Sequence, residues 1–338
     1  MLEHGGRLRQ AAAYYGIPLA DWLDLSTGIN PNGWPVAEVA AAAWARLPED
    51  DDGLAEAACA AYGAPICLPV AGSQAAIAAL PHLRGVSRVG VLSPGYAEHA
   101  HAWQQAGHEV VAVTGGEVSK PLSPNPSPAR GEGSPLDVLV LMNPNNPTGE
   151  RFSSEQLLAW HAELAARGGW LVVDEAFMDA TPEDSVAAYT ARPGLIVLRS
   201  LGKFYGLAGA RVGFVLAEAA LLKRLAERLG PWTVSGPARF VAQQALRDTD
   251  WQAATRGALI AAGARLAALL RQRGLAPTGG TALFQWVETP HAREIHAALA
   301  RQGILTRLFE QPLSLRFGLP GAEAEWRRLE HALRGLQR

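Results

Sequence analysis

Three apolar runs, each leading to a polar residue, constrain this chain more than any other feature. Val138-Leu139-Val140-Leu141-Met142 gives way to a turn, Asn143-Pro144-Asn145-Asn146-Pro147-Thr148-Gly149. Leu171-Val172-Val173 ends on Asp174, and Leu195-Ile196-Val197-Leu198 leads to Lys203. Short continuous apolar runs of this kind read as strands buried on both faces. Asn146, Asp174 and Lys203 follow one another at intervals of 28 and 29 residues. That spacing suits successive β-α units of a parallel sheet. Ligands of such sheets bind at the carboxyl ends of the strands, which is where all three polar groups fall. The expected class is α/β, with a mostly parallel central sheet flanked by helices.

A lysine delivered to the end of a buried strand is awkward unless its amine does chemistry. Burial lowers an amine's pKa and makes it nucleophilic, and the usual use is a Schiff base. Taken singly, Lys203 reads equally as a surface lysine in a glycine-rich turn, Asn146 as a turn residue, Asp174 as a helix cap and Arg211 as a surface cation. As a set they match the needs of pyridoxal 5'-phosphate. Lys203 would bond the cofactor covalently. Asp174 would pair with the pyridinium nitrogen and keep it protonated. Asn146 would donate to the phenolic oxygen, and Ser200 and Arg211 would hold the phosphate through charge-assisted hydrogen bonds. Gly72-Ser73-Gln74 opens an apolar helix, and a Gly-Ser turn at a helix start presents backbone N–H groups to an anion.

With Asn-Pro-Thr-Gly, Asp-Glu-Ala and Ser-x-x-Lys in this order, the chain resembles the fold-type I pyridoxal-phosphate enzymes of the aspartate-aminotransferase superfamily over nearly its whole length. Within that superfamily it is most similar to the branch holding histidinol-phosphate aminotransferase and threonine-phosphate decarboxylase. The resemblance implies a large cofactor-binding domain, a smaller α+β C-terminal domain, and a homodimer with the site at the subunit interface. It also places the cofactor phosphate at Gly72-Ser73-Gln74, stacks Tyr96 on the cofactor ring, and gives Arg316, in Leu-Arg-Phe-Gly, the substrate's α-carboxylate. Arg307, nine residues earlier, would make a second cationic contact, which suggests a substrate with two anionic groups, a small phosphorylated amino acid. The alternative for Arg307 is a solvated charge at a strand end.

Several features lean toward the decarboxylase. The resemblance includes the opening His4-Gly5-Gly6, an arm whose glycines let backbone N–H groups approach the substrate phosphate; a disordered terminus is the default alternative. Phe177 stands where aminotransferases carry a tyrosine whose hydroxyl serves the phenolic oxygen. Pro231-Trp232-Thr233-Val234-Ser235 and the loop from Leu25 to Gly33, which contains Asn30, are also similar to segments of that enzyme. The resemblance then implies decarboxylation of threonine phosphate for cobalamin assembly. A histidinol-phosphate or broader aminotransferase is the runner-up, and a non-catalytic cofactor-binding scaffold is a third reading. Two departures stand out: Arg46-Leu47-Pro48 lacks the tyrosine of the branch's Arg-Tyr-Pro, and Ser73-Gln74 replaces a Gly-x-Glu-type run.

Composition bounds the remaining classes. With 338 residues the chain can bury a large core in two domains. A net charge of −2 without a basic run argues against nucleic acid as partner. Cys59 and Cys67 make neither a metal pattern nor a disulfide framework, no apolar run approaches a membrane span, and Met1 to Gly6 hold no apolar signal segment. A cytoplasmic protein is expected.

The expected organisation is an N-terminal arm over 1–35 packing with the small domain, a large domain over 36–229, and a small domain over 230–338. Helices are expected over 37–46 and 54–62, the latter ended by Gly63, then over 237–247 and 251–273. The Pro-rich stretch 119–135 is expected to be a surface loop. His99, His101 and His108 read as surface or packing residues, and strands are expected at 89–92, 212–216, 282–287, 304–307 and 314–318.

Overall fold

The computed structural model describes residues 5–118 and 135–337; His4 and all but the last residue of the Pro-rich stretch lie outside them. Twelve strands occur among the described residues. They are β1 (Leu23–Leu25), β2 (Cys67–Val70), β3 (Arg88–Leu92), β4 (Glu109–Val113), β5 (Val138–Met142), β6 (Trp170–Asp174), β7 (Leu195–Ser200), β8 (Gly213–Leu216), β9 (Gly279–Thr281), β10 (Phe284–Glu288), β11 (Ile304–Glu310) and β12 (Leu313–Gly318). The chain divides into two compact units. The larger comprises Trp34–Asn146 and Arg151–Gln252; the smaller comprises Met1–Gly33, Pro147–Glu150 and Ala253–Arg338.

The larger unit is a seven-stranded sheet in the order β2-β8-β7-β6-β5-β3-β4. β4, β3, β5, β6 and β7 run parallel, and β8 pairs antiparallel with both β7 and β2. Every residue of β5, β6 and β7 is buried, which is why their sequences do not alternate. Met142 pairs with Asp174, and Asp174 with Leu198, so the carboxyl ends of the three strands are in register. Val140, Val172, Ile196 and Leu198 pack in one apolar core with Ile77, Leu221 and Leu225.

The β5–β6 connection contains the helix Ser154–Ala165, opened by a capping box between Ser153 and Gln156. Between β6 and β7 the expected helix is replaced by three 3-10 turns, Met178–Ala180, Pro182–Asp184 and Ala187–Tyr189. Buried side chains hold this segment. Glu175 accepts from Ser185 Oγ at 2.6 Å, the Val186 N–H at 2.9 Å and Arg199 at 2.8 Å. Such side-chain bonds to backbone offer the chain an alternative to helix. Arg199 also pairs with Asp179 at 3.3 Å and lies 4.2 Å over the Tyr62 ring. Burial opposes its charge, but Asp179 and Glu175 more than offset this and hold its pKa above the ordinary arginine value. Truncating one partner of such a pair leaves the other charge buried, so Glu175→Ala is expected to cost about 3–5 kcal/mol of stability. Denaturant unfolding tests this; a loss under about 1 kcal/mol would show that the network supports nothing.

The expected domain boundary near 229 lies instead at Gln252. The helix Gly236–Arg247 packs on Leu54–Tyr62 and Ala41–Ala45, with Gly236 so close to the Ala43 carbonyl that a Cβ would sit 2.4 Å away. The helix expected over 37–46 shrinks to Ala41–Ala45, because no side chain caps its start and alanine propensity alone does not sustain so short a helix.

In the smaller unit the sheet order is β1-β11-β12-β10-β9, with β1 parallel to β11 and the other pairs antiparallel. The N-terminal segment, expected as an arm packing with the small domain, contributes the helix Leu8–Tyr15 and the strand β1. Trp22 packs with Ala11, Ala300 and Leu305. A three-residue strand carries too little periodicity to be read from sequence. The helix Thr249–Gln272 is long and apolar enough to cross a membrane by length and composition alone, a test that core helices of soluble proteins also pass.

Candidate active site

The carboxyl ends of β5, β6 and β7 open on a cavity of about 320 Å³ in the larger unit. Lys203, Asp174, Asn146, Ser200, Arg211 and Tyr96 line it, with Ser73, Gln74 and Phe177. Asp174, the last residue of β6, is only 2% exposed. Its Oδ1 accepts the Ala176 N–H at 3.0 Å, and its Oδ2 lies 3.0 Å from His99 Nε2. His99 is therefore neither a surface residue nor mere packing: it is buried against the carboxylate and fixes its orientation. The signal for this was its position three residues after Tyr96, on the helix Ala97–Gln105 that starts beside the strand ends. His101 is exposed. His108 is buried, with Nδ1 accepting the Ser87 N–H and Nε2 2.9 Å from the Pro81 carbonyl.

Tyr96 donates to Gln74 Oε1 at 3.2 Å, and Gln74 Nε2 donates to Glu98 at 3.0 Å. Burial, with Glu98 and Asp174 nearby, pushes the Tyr96 pKa up to about 12, so the hydroxyl is a neutral donor. This chain of bonds holds the ring at the cavity wall and gives Gln74 a task the sequence did not reveal.

The end of the cavity expected to take a phosphate depends on close backbone approach. A Cβ on Gly72, which has φ +72°, would lie 2.6 Å from an Arg211 guanidinium nitrogen, and one on Gly213 would lie 2.5 Å from the Ser73 nitrogen. Arg211 itself adopts a left-handed conformation, φ 54° and ψ 51°, which costs a non-glycine residue about 1–2 kcal/mol and aims its side chain into the cavity. Its NH1 donates to the Ala208 carbonyl at 3.2 Å, and Ser200 Oγ accepts the Gly202 N–H at 3.2 Å. Within the Asn-Pro turn the work is divided: Asn143 exchanges two hydrogen bonds with the Phe152 backbone, Asn145 donates to the Pro94 carbonyl, and Asn146 lines the cavity. Lys203 Nζ lies 5.6 Å from the centre of the Phe177 ring, an apolar wall without a hydroxyl.

The expected substrate residues lie in the smaller unit. Arg307 is on a strand, directly opposite Arg316 in the β11–β12 register, so both project from one face of the sheet. Burial, with Arg307 adjacent, pushes the Arg316 pKa down to about 10, while Asp24 works the other way. Arg316 donates to the Ser26 carbonyl at 2.8 Å. Ser26 Oγ accepts the Gly6 N–H at 2.7 Å and donates to Asp24 at 2.6 Å. A Cβ on Gly5 would lie 2.3 Å from the Ser26 carbonyl oxygen. Ser26 thus joins the Gly5-Gly6 segment to Arg316, and Gly5, Gly6, Ser26 and Arg307 line a cavity of about 340 Å³. Asn30 is buried, accepts the Asn32 N–H at 2.9 Å, and does not line this cavity.

The family model "Aminotransferase class I and II" matches residues 31–334. The chain belongs to this family. A threonine-phosphate decarboxylase of Pseudomonas aeruginosa is 60% identical over 337 residues, covering 100% of this chain and 98% of the relative. One from a Sinorhizobium species is 41% identical, covering 98% and 97%. The crystal structure of histidinol-phosphate aminotransferase from Sinorhizobium meliloti in complex with pyridoxal-5'-phosphate aligns with a TM-score of 0.79 at 21% identity, covering 99% of this chain and 96% of that one. This likeness establishes the fold, which is fold-type I.

The family's cofactor is pyridoxal 5'-phosphate, and the larger unit's cavity fits it. One wall offers a buried carboxylate, another an amine. At a third, glycine backbone closes on an arginine and a serine, leaving space that side chains would fill.

Proposed function

We propose that this protein decarboxylates L-threonine O-3-phosphate to (R)-1-amino-2-propanol O-2-phosphate and carbon dioxide, in the assembly of cobalamin. The observation that carries this reading is the 60% identity, end to end, to the Pseudomonas aeruginosa decarboxylase. In keeping with it, Arg307 and Arg316 are paired across the sheet, as two anionic groups on one substrate require.

The assignment of roles follows the chemistry of each group. When bound, pyridoxal phosphate supplies an electron sink for the pair released as the Cα–carboxylate bond breaks. Lys203 would hold the cofactor, and its amine, or water, would return a proton to Cα after carbon dioxide has left. Asp174, steadied by His99 and the Ala176 N–H, would keep a proton on the ring nitrogen. Asn146 donates to the phenolic oxygen, alone because Phe177 has no hydroxyl. Ser200, Arg211 and the Gly72-Ser73-Gln74 turn would take the cofactor phosphate, and Tyr96 would pack against its ring. Arg316 binds the carboxylate; Arg307 and the Gly5-Gly6 backbone bind the substrate phosphate. Which bond to Cα breaks would depend on how the arginines hold the substrate's carboxylate and phosphate.

The test is release of carbon dioxide from threonine phosphate by cofactor-loaded protein without a keto acid, beside histidinol phosphate with 2-oxoglutarate. Carbon dioxide without glutamate is expected. Glutamate without carbon dioxide would make the protein an aminotransferase.

We also propose a cytosolic homodimer. Val36, Trp44, Leu47, Trp232 and Phe240 of the larger unit are exposed, apolar side chains that a subunit interface would cover. Sedimentation is expected to give twice the 35.8 kDa chain mass, and a species at the chain mass would exclude the dimer.

A further inference from the structure

The cavity of the smaller unit has a lining of one charge sign. Arg7 and Arg307 line it with the polar His296, Gln10 and Tyr15, and among the described residues no carboxylate lines it. Asp24 lies near Arg316, but its Oδ1 accepts from both the N–H and the hydroxyl of Ser26. Such a lining selects anions.

Within it, His296 is held in one orientation. It sits on the helix Ala292–Ala300, and its Nδ1 lies 2.9 Å from the hydroxyl of Thr306, a buried residue of β11. With Nδ1 engaged, Nε2 is the nitrogen left for a ligand. If Thr306 donates to Nδ1, Nε2 carries the hydrogen. Burial and the neighbouring Arg307 both hold the His296 pKa below its usual value, which favours the neutral ring, and in the tautomer whose Nδ1 accepts from Thr306 that ring donates from Nε2. A phosphate group presents three terminal oxygens, more acceptors than one guanidinium fork satisfies.

We propose that His296 is a specificity-determining residue for the substrate's phosphate, donating from Nε2 to an oxygen of the group that Arg307 also holds. The inference rests on the reading that the substrate is a phosphorylated amino acid, and deepens it by naming a phosphate ligand beyond the arginine and the glycine arm.

Two substitutions separate this role from a structural one. His296→Asn keeps an amide near the Nδ1 position, within reach of Thr306, and loses the donor at Nε2. His296→Gln places an amide nitrogen near Nε2. With holoenzyme, whose cofactor already fills its own phosphate site, inorganic phosphate binding is measured by calorimetry and KM and kcat are measured with threonine phosphate. His296→Asn is expected to weaken phosphate binding and raise KM by about tenfold each, with kcat changing less than about threefold, and His296→Gln to recover most of the loss. Unchanged phosphate affinity in His296→Asn would overturn the proposal, as would equal losses in both variants. Should wild-type holoenzyme release no carbon dioxide while phosphate binding follows the expected pattern, the anion site stands and the decarboxylase reading falls.

Discussion

Replacing Lys203 with alanine is expected to reduce turnover by at least about 10⁴-fold, the upper range of a single acid–base group, because on the proposed reading this residue also holds the reacting partners in place. Losses of groups that act as a unit do not add, so the double variant Lys203→Ala/Asp174→Asn should be little worse than the single one. Stability should change little: Lys203 is half-buried and lines an open cavity, so shortening it leaves no sealed void. The chain offers an unusually clean check. It contains only three lysines, Lys120, Lys203 and Lys223, against 27 arginines. Borohydride treatment of the loaded wild type followed by peptide mass mapping should fix the cofactor on the peptide carrying Lys203. A label on Lys120 or Lys223, or residual turnover above about 1% in Lys203→Ala, would remove the residue from the mechanism.

The same scarcity of lysine shows why part of this site was legible in sequence. Where arginine serves nearly every structural cation, a lysine after a buried strand carries information. Its relation to Asp174 and Asn146 was readable because continuous apolar runs fix strands and parallel register fixes which ends align. The features that escaped are those in which a side chain's role depends on a partner distant in sequence. His99 looked like one of three histidines on a helix until the fold brought it to Asp174, 75 residues away. The 3-10 turns after β6 depend on Glu175 meeting Ser185, Val186 and Arg199 at once. Strand β1 is three residues long and gains its place by pairing with β11, nearly the whole chain distant. Local patterns specify elements well; a short strand or a single polar partner is specified by the assembled sheet.

Asp174→Asn is expected to lower kcat by about 10²-fold or more, corresponding to roughly 3 kcal/mol of lost transition-state stabilisation. The substitution is nearly isosteric, yet it changes the charge and half the hydrogen-bonding sense of the group. In the wild type both oxygens accept, Oδ1 from the Ala176 N–H and Oδ2 from His99. Asparagine can keep one acceptor. If its oxygen stays on Ala176, the amide nitrogen meets His99 Nε2, and the histidine must change tautomer to accept from it. Without the Asp174 carboxylate, the cavity loses the group proposed to hold a proton on the cofactor's ring nitrogen. His99→Leu tests the supporting bond by itself: it removes one hydrogen bond to a charged group and should cost about tenfold in kcat. Because His99 acts through Asp174, adding His99→Leu to Asp174→Asn should cost almost nothing further, a coupling that a double-mutant cycle measures directly. The absorbance of the bound cofactor across pH supplies a readout independent of turnover, since its titration should shift in Asp174→Asn and, by less, in His99→Leu. Full additivity of the two losses, or an unshifted titration in Asp174→Asn, would mean that the ring nitrogen is served by another group and that the buried Asp174–His99 pair is a structural contact alone.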